Sequence, residues 1–226
     1  MKPLVIFDID GTLTNTVRVD EFCYVKALSD VHSIDLNSVD WSDFPNATDW
    51  GILKTLFENS LKQKLLEPDI QRTKNYFLEL LRKQSSENAD AFSEIPGALA
   101  FFNYLLSKKL PLAIATGAWG KSAKFKLDNI GLKYEGLPFA DSDDHYSRSE
   151  IIQTAVRLAE KQYHMKFSRI IYFGDGEWDF TVSKELGLDF VGIDMQENGN
   201  LRKLGVKIVL RNFRDVKNIL HVTRIT

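Results

Sequence analysis

Leu4-Val5-Ile6-Phe7-Asp8-Ile9-Asp10-Gly11-Thr12-Leu13-Thr14 decides how the chain is read. Four consecutive apolar residues without polar alternation suit a strand buried on both faces, as in a parallel sheet. Asp8 ends that run, Asp10 follows two residues on, and Gly11 permits a sharp turn just past it. Where strand geometry persists to Asp10, both carboxylates point to one side. Carboxylates that close repel, so a cation or a shared proton is expected between them. Strand C-termini in open α/β sheets are also where ligands bind. Two plainer readings compete. Asp-Gly is a hairpin signal, and Asp-x-Asp opens an EF-hand loop. The EF-hand fails, because Gly11 falls at loop position four and Val19 rather than Glu at position twelve.

Working outward, Leu112–Ala115 runs into Thr116, Ile170–Phe173 into Gly174, and Phe190–Ile193 into Asp194. Each is another short apolar run ending in a polar turn. Helical patterns lie between them. Residues 97–108 follow Pro96, a helix-start residue. Residues 147–162 open with Ser147 and Glu150 at capping-box spacing, and 212–222 closes the chain. Strand and helix in alternation predict an α/β fold. Residues 15–90 break the rhythm. Helical spacing covers 18–32, 47–63 after Asn46, and 68–84 from Pro68, with no buried strand among them. This block reads as a helical insertion, with polar 84–90 as the return linker.

A chain of 226 residues suits one medium domain, or one carrying a smaller insertion. Its 44% hydrophobic and 27% charged residues fit a globular protein and are too apolar for a disordered one. The net charge of -2 gives no field favouring nucleic acid or an anionic membrane. Cys23 is the single cysteine, which excludes an intramolecular disulfide and a cysteine-rich zinc site. It reads as a buried small hydrophobe. His32, His145, His164 and His221 have no ligand spacing. Ile95–Ser107 is uncharged but too short to span a bilayer. Leu4–Phe7 is too short for a secretory h-region, so the expectation is a soluble cytoplasmic protein.

Asp8-Ile9-Asp10-Gly11-Thr12-Leu13-Thr14 after an apolar strand resembles the first motif of the haloacid dehalogenase-like (HAD) superfamily, D-x-D-G-T-[LV]-[TV]. The other motifs follow in order. Ile114-Ala115-Thr116-Gly117 resembles the second, Arg148 stands where the third has Lys or Arg, and Gly174-Asp175-Gly176-Glu177-Trp178-Asp179 resembles the fourth, G-D-x-x-x-D. The resemblance implies a Rossmann-like parallel-sheet core over 1–14 and 91–226, with 15–90 as an inserted α-helical cap of the C1 type, similar to phosphoglycolate phosphatase-like members.

That resemblance also implies a mechanism. Asp8 would be the nucleophile, forming an aspartyl-phosphate, and Asp10 the general acid and base. Mg²⁺ would sit on the Asp8 and Asp175 carboxylates and the Asp10 main-chain carbonyl. Thr116 and Gly117 would hold phosphate oxygens, and Arg148 would neutralise nucleophile and phosphoryl group. Asp179 would orient Arg148 or metal-bound water. Read without the family, Asp175 and Asp179 are acidic residues at a helix start and Arg148 a solvated first-turn residue, with His145 and Lys121 open to confusion with it.

Asn46-Ala47-Thr48-Asp49 resembles a cap loop written G-x-T-D, with Asn46 in place of glycine. By that analogy Thr48 and Asp49 face the substrate; alternatively one of them is the N-cap of the next helix. Trp50, Trp119 and Trp178 sit in or beside motifs, where they either wall a pocket or pack in the core. Ala115–Ser122 nearly matches a P-loop, but its first position is Ala115 and it leaves Asp8 and Asp10 unexplained. The expected activity is Mg²⁺-dependent hydrolysis of a small phosphorylated metabolite. A β-phosphoglucomutase-like phosphomutase shares all four motifs. A phosphonate hydrolase would need a cap lysine such as Lys26 or Lys54. A non-catalytic phosphoester binder is the alternative outside enzymes. Oligomeric state is not legible.

Overall fold

A computed structural model describes residues 2–36 and 40–225; Met1, Thr226 and residues 37–39 of the helical block lie outside the described residues. Strands β1 (Leu4–Phe7), β2 (Leu112–Ala115), β3 (Phe139–Ala140), β4 (Ile170–Gly174), β5 (Asp189–Ile193) and β6 (Val209–Leu210) form one sheet. Its order is β3-β2-β1-β4-β5-β6, and every neighbouring pair is parallel. The four apolar runs are the four inner strands. Both edge strands are two residues long, too short to leave a periodic signal.

Continuous apolarity in β1 follows from cover on both faces. Leu4 and Ile6 pack with Ile151, Ile152 and Ala155 of one helix and with Tyr172. Val5 and Phe7 point the other way, into a cluster with Phe101, Phe102, Phe173 and Phe213. There Phe7 stacks on Phe173 with centroids 4.9 Å apart, and Phe101 on Phe213 at 5.4 Å. Each buried ring contributes roughly 1.5–3 kcal/mol of transfer free energy.

The helices, numbered along the chain, are α1 (Val17–His32), α2 (Asp49–Leu56), α3 (Glu67–Glu87), α4 (Ala98–Ser107), α5 (Gly120–Asn129), α6 (Arg148–Tyr163), α7 (Glu177–Glu185), α8 (Asn200–Lys203) and α9 (Val216–Thr223). α4 starts just after Pro96, and the Leu99 amide donates to Glu94 Oε2 at 2.7 Å. Gly97 precedes it at φ +86°, where a Cβ would lie 2.8 Å from Phe213 backbone. α6 opens at Ser147, but the capping box does not form. Ser147 Oγ pairs with Ser149 Oγ at 2.9 Å instead of a first-turn amide. The linker over 84–90 is also corrected: α3 continues to Glu87, so 84–87 is the solvent-facing last turn of a helix. The return runs through Asn88 and a short turn at Ala89–Phe92.

Helices α1, α2 and α3 share an apolar cluster built on Cys23, Tyr24, Leu28, Leu53, Phe77 and Leu81. α2 widens into a π-helical turn at Phe57–Leu61. Trp119 and Phe125, from the chain after β2, enter the same cluster, so the helical block is seated on the loop that follows β2. No helix among the described residues is long and apolar enough to cross a membrane.

Cys23 is fully buried in this cluster, and burial pushes its thiol up to about 12. The neutral thiol therefore prevails at every pH below that value. Cys23 is expected to resist iodoacetamide in native protein at pH 8 and to alkylate at once in denaturant. Fast native labelling, read by mass spectrometry, would contradict this packing.

Candidate active site

Asp8 continues the alternation of Leu4 and Ile6, so its side chain leaves the sheet on the face covered by α6 and α7. Its amide extends the ladder by donating to Phe173 O at 2.9 Å. The side chain is buried, and Oδ1 has no hydrogen-bond partner. Arg148, from the first turn of α6, brings Nη1 to 3.8 Å from that oxygen. The guanidinium is held from behind, with Nη1 donating to Asp179 Oδ1 at 2.7 Å and Nη2 to Ala47 O at 2.6 Å. Its Nε has no partner. Asp179 is fully buried in the first turn of α7. It also accepts from the Tyr172 hydroxyl at 3.0 Å and the Gly176 amide at 3.0 Å.

Asp175 follows β4 and is half-buried. It fits because Gly11 turns at φ +72°, where a Cβ would fall 1.9 Å from Asp175 Oδ2. Carboxylate oxygens of Asp8, Asp175 and Asp179 lie within 4.8 Å of one another. Burial, then the charge of Asp179, push Asp8 up to about 7. Burial and the charges of Asp179 and Asp8 likewise push Asp175 well above the usual carboxylate range. One guanidinium does not balance three acids, so the cluster favours a cation. Its donors are all oxygen, the set that hard dications take.

Thr116 is buried at the end of β2. Its Oγ1 accepts from the Ala118 amide at 3.3 Å, which leaves the hydroxyl proton to donate. At Gly117 a Cβ would lie 2.3 Å from Arg148 Nη2, so glycine lets the guanidinium reach Ala47.

Asp10 lines the same cavity as Asp8 but holds a different set of partners. Strand geometry does not persist to it. The amides of Thr12, Leu13 and Thr14 all turn back to Ile9 O. Asp10 Oδ1 accepts from Thr16 Oγ1 at 2.5 Å and Oδ2 from Lys126 Nζ at 2.5 Å. Lys126 is fully buried on α5 and pairs also with Asp20 of α1 at 2.6 Å. The sequence reading missed both Lys126 and Asp20. The signal was there: Lys126 shares a helical stripe with Ala123 and Leu127, both buried.

Both readings of the Thr48-Asp49 loop describe part of it. Thr48 is the N-cap of α2, accepting from the Gly51 amide at 2.9 Å, and its hydroxyl donates to Tyr146 O at 2.7 Å. Asp49 is buried, with Oδ2 accepting from the Trp119 amide at 2.9 Å. Both residues also line the cavity. That contact puts a carboxylate of the chain itself at the start of α5, where a P-loop would need free amides, and Lys121 faces solvent. Of the tryptophans, Trp178 lines the cavity together with Trp41, which the sequence reading did not single out. Trp119 packs against Tyr24 and Phe77 in the core of the helical block, and Trp50 against Tyr146.

Similar folds are known. A hydrolase from Pseudomonas syringae superimposes with a TM-score of 0.72 at 19% identity, covering 100% of both chains. β-Phosphoglucomutase from Clostridium difficile gives 0.71 at 18%, covering 98% of this chain and 96% of that one. CbbY from Rhodobacter sphaeroides, solved with phosphate, gives 0.69 at 15%, covering 96% of each. No match is found among proteins of curated function. Residues 5–193 match the model of the haloacid dehalogenase-like hydrolases. That span holds every residue of the site, from Asp8 to Asp179, and the chain belongs to this family of hydrolases.

Proposed function

We propose that this hydrolase is a Mg²⁺-dependent phosphatase acting on a small phosphate monoester through an aspartyl-phosphate on Asp8. The observation that carries the reading is the buried Asp8 carboxylate, whose Oδ1 has no hydrogen-bond partner while facing Arg148 and Asp175. A structural aspartate at that depth would have its lone pairs satisfied. Residues 15–90 serve as the cap over a core of 1–14 and 91–226.

The residues fit the metal. Asp8 and Asp175 would hold it with the Asp10 main-chain carbonyl, and their uncompensated charge is what it would neutralise. When bound, Mg²⁺ supplies electrostatic shielding that lets a dianionic phosphate approach a carboxylate. Asp8 Oδ1 attacks phosphorus as the ester oxygen leaves. Asp10 gives that oxygen its proton, then takes one from the water that hydrolyses the acyl phosphate. Thr116 donates its hydroxyl proton to a phosphoryl oxygen. Arg148, whose Nη1 lies 3.8 Å from Asp8 Oδ1, offsets the phosphoryl charge, and Asp179 fixes the guanidinium plane. Thr16 and Lys126 each take one lone pair of Asp10, and the leaving oxygen would meet a proton on one of the remaining two.

Phosphate release from a panel of small monoesters should require Mg²⁺ and vanish with chelator. Asp8→Asn should lower kcat/KM by at least about a thousandfold. Isomerisation without phosphate release would assign a phosphomutase, and binding without either reaction a non-catalytic phosphoester binder. Lys126→Met would leave Asp10 and Asp20 without their cation. It is expected to cost about 3–5 kcal/mol of stability in denaturant titration. Adding Asp20→Asn should recover part of that loss, whereas additive losses would show that the pair is not coupled.

A further inference from the structure

The cavity above Asp8 has two chemically different walls. Strand ends and α6 supply Asp8, Thr116, Gly117 and Arg148. Helices α1 and α2 and the segment between them supply Asp20, Glu21, Tyr24, Trp41, Asp49 and Ile52. Arg148 is the one cation among the described residues that line it. Lys126 lies behind the second wall, and its single charge is divided between Asp10 and Asp20. Glu21 has neither ion pair nor side-chain hydrogen bond among the described residues, and it stands on the exposed rim. The second wall therefore carries more carboxylates than cations, with Glu21 unpaired at its rim. Its remaining surface is aromatic, with Tyr24 and Trp41 edge to face at 6.1 Å. That the cavity takes a ligand at all is signalled independently by two of its lining residues, Asp8 and Arg148, each of which has a buried polar atom without a partner, Oδ1 and Nε.

We propose that the leaving group is cationic: the substrate is the phosphate monoester of a short amino alcohol, its phosphate against Asp8 and Arg148 and its ammonium group against Glu21, Asp20 and the rings of Tyr24 and Trp41. This rests on the phosphatase reading of the same site. Carboxylates and aromatic faces together are the chemistry that receives an alkylammonium group. A cavity of about 140 Å³ admits a leaving group of few atoms. An ester bearing a second anion, such as a carboxylate, would meet like charge on this wall with no cation to answer it.

Three two-carbon esters of nearly equal size test the assignment: 2-aminoethyl phosphate, 2-hydroxyethyl phosphate and carboxymethyl phosphate. Their binding to Asp8→Asn protein with Mg²⁺ is measured by calorimetry, and phosphate release is measured with wild type. The ammonium ester is expected to bind about tenfold more tightly than the hydroxyl ester and about a hundredfold more tightly than the carboxylate ester. Glu21→Gln, a change at an exposed position, should cut the ammonium-to-hydroxyl ratio several-fold. A carboxylate ester that binds as well as the ammonium ester, an unmoved ratio in Glu21→Gln, or no binding of any ester overturns the proposal. Release of phosphate by wild type from none of the three, nor from p-nitrophenyl phosphate, would sink the phosphatase reading separately. The binding order would still decide which ligand the cavity selects.

Discussion

A carboxylate shut away at the end of a strand must draw its counter-charge from other parts of the chain, and Asp8 sets that demand. Burial removes most of its exposure to solvent, so the cost falls on whatever packs around it. Arg148 answers from α6, and Arg148 is in turn held by Asp179 from α7. Asp179 takes the Tyr172 hydroxyl from β4 and the Gly176 amide. Elements far apart in sequence thus meet on one face of the sheet because the parity of β1 sends Leu4, Ile6 and Asp8 to that face. The network is deliberately short of positive charge. Asp8, Asp175 and Asp179 face one guanidinium, and the surplus makes the place attractive to a cation and, with it, to a phosphate.

A second balance lies beside the first. Lys126 is fully buried with carboxylates on two sides, one from the loop after β1 and one from α1. Such an arrangement gains little over well-packed apolar residues, because desolvation offsets most of the attraction. Its effect is positional. If α1 moved away from α5, Asp20 would lose its cation and buried Lys126 one of its two carboxylates. The Asp49–Trp119 and Thr48–Tyr146 hydrogen bonds add two more ties between the helical block and the loops of the sheet. Asp10, the proposed general acid, belongs to this second balance and lines the cavity beside Asp8.

How much of this was legible depends on how local each feature is. The inner strands announced themselves, because burial on both faces forces an unbroken apolar run such as Leu4–Phe7. Asp8, Thr116, Asp175 and Asp179 were legible from the order and spacing of four motifs taken together, since an acid in the first turn of a helix is by itself common. Lys126 was not. In the stretch Gly120–Asn129 it is one of three lysines, and only the approach of α1, fixed by contacts about a hundred residues away, removes it from water. Its place on the Ala123–Leu127 stripe was the one hint. Ser147 shows the converse failure: the spacing to Glu150 was right for a capping box, yet Ser149 offered its hydroxyl a closer partner. The edge strands β3 and β6 are too short for any pattern to register.

The two walls of the cavity give the proposed substrate an orientation as well as an affinity. Arg148 and the dication that the acids call for offset the charge of Asp8, Asp175 and Asp179 at one end, and Glu21 with Asp20 keeps the other negative. A molecule carrying negative charge at one end and positive charge at the other has a single favourable way to lie along that axis. An ester with an anion at each end has two, and in one of them its carboxylate takes the place meant for phosphate beside Asp8. Repulsion from the far wall therefore does more than weaken the wrong ligand, because it also removes unproductive binding modes of the right size. Binding energy gained at the far wall is then available to hold phosphorus against Asp8 Oδ1, where the geometry of attack is decided.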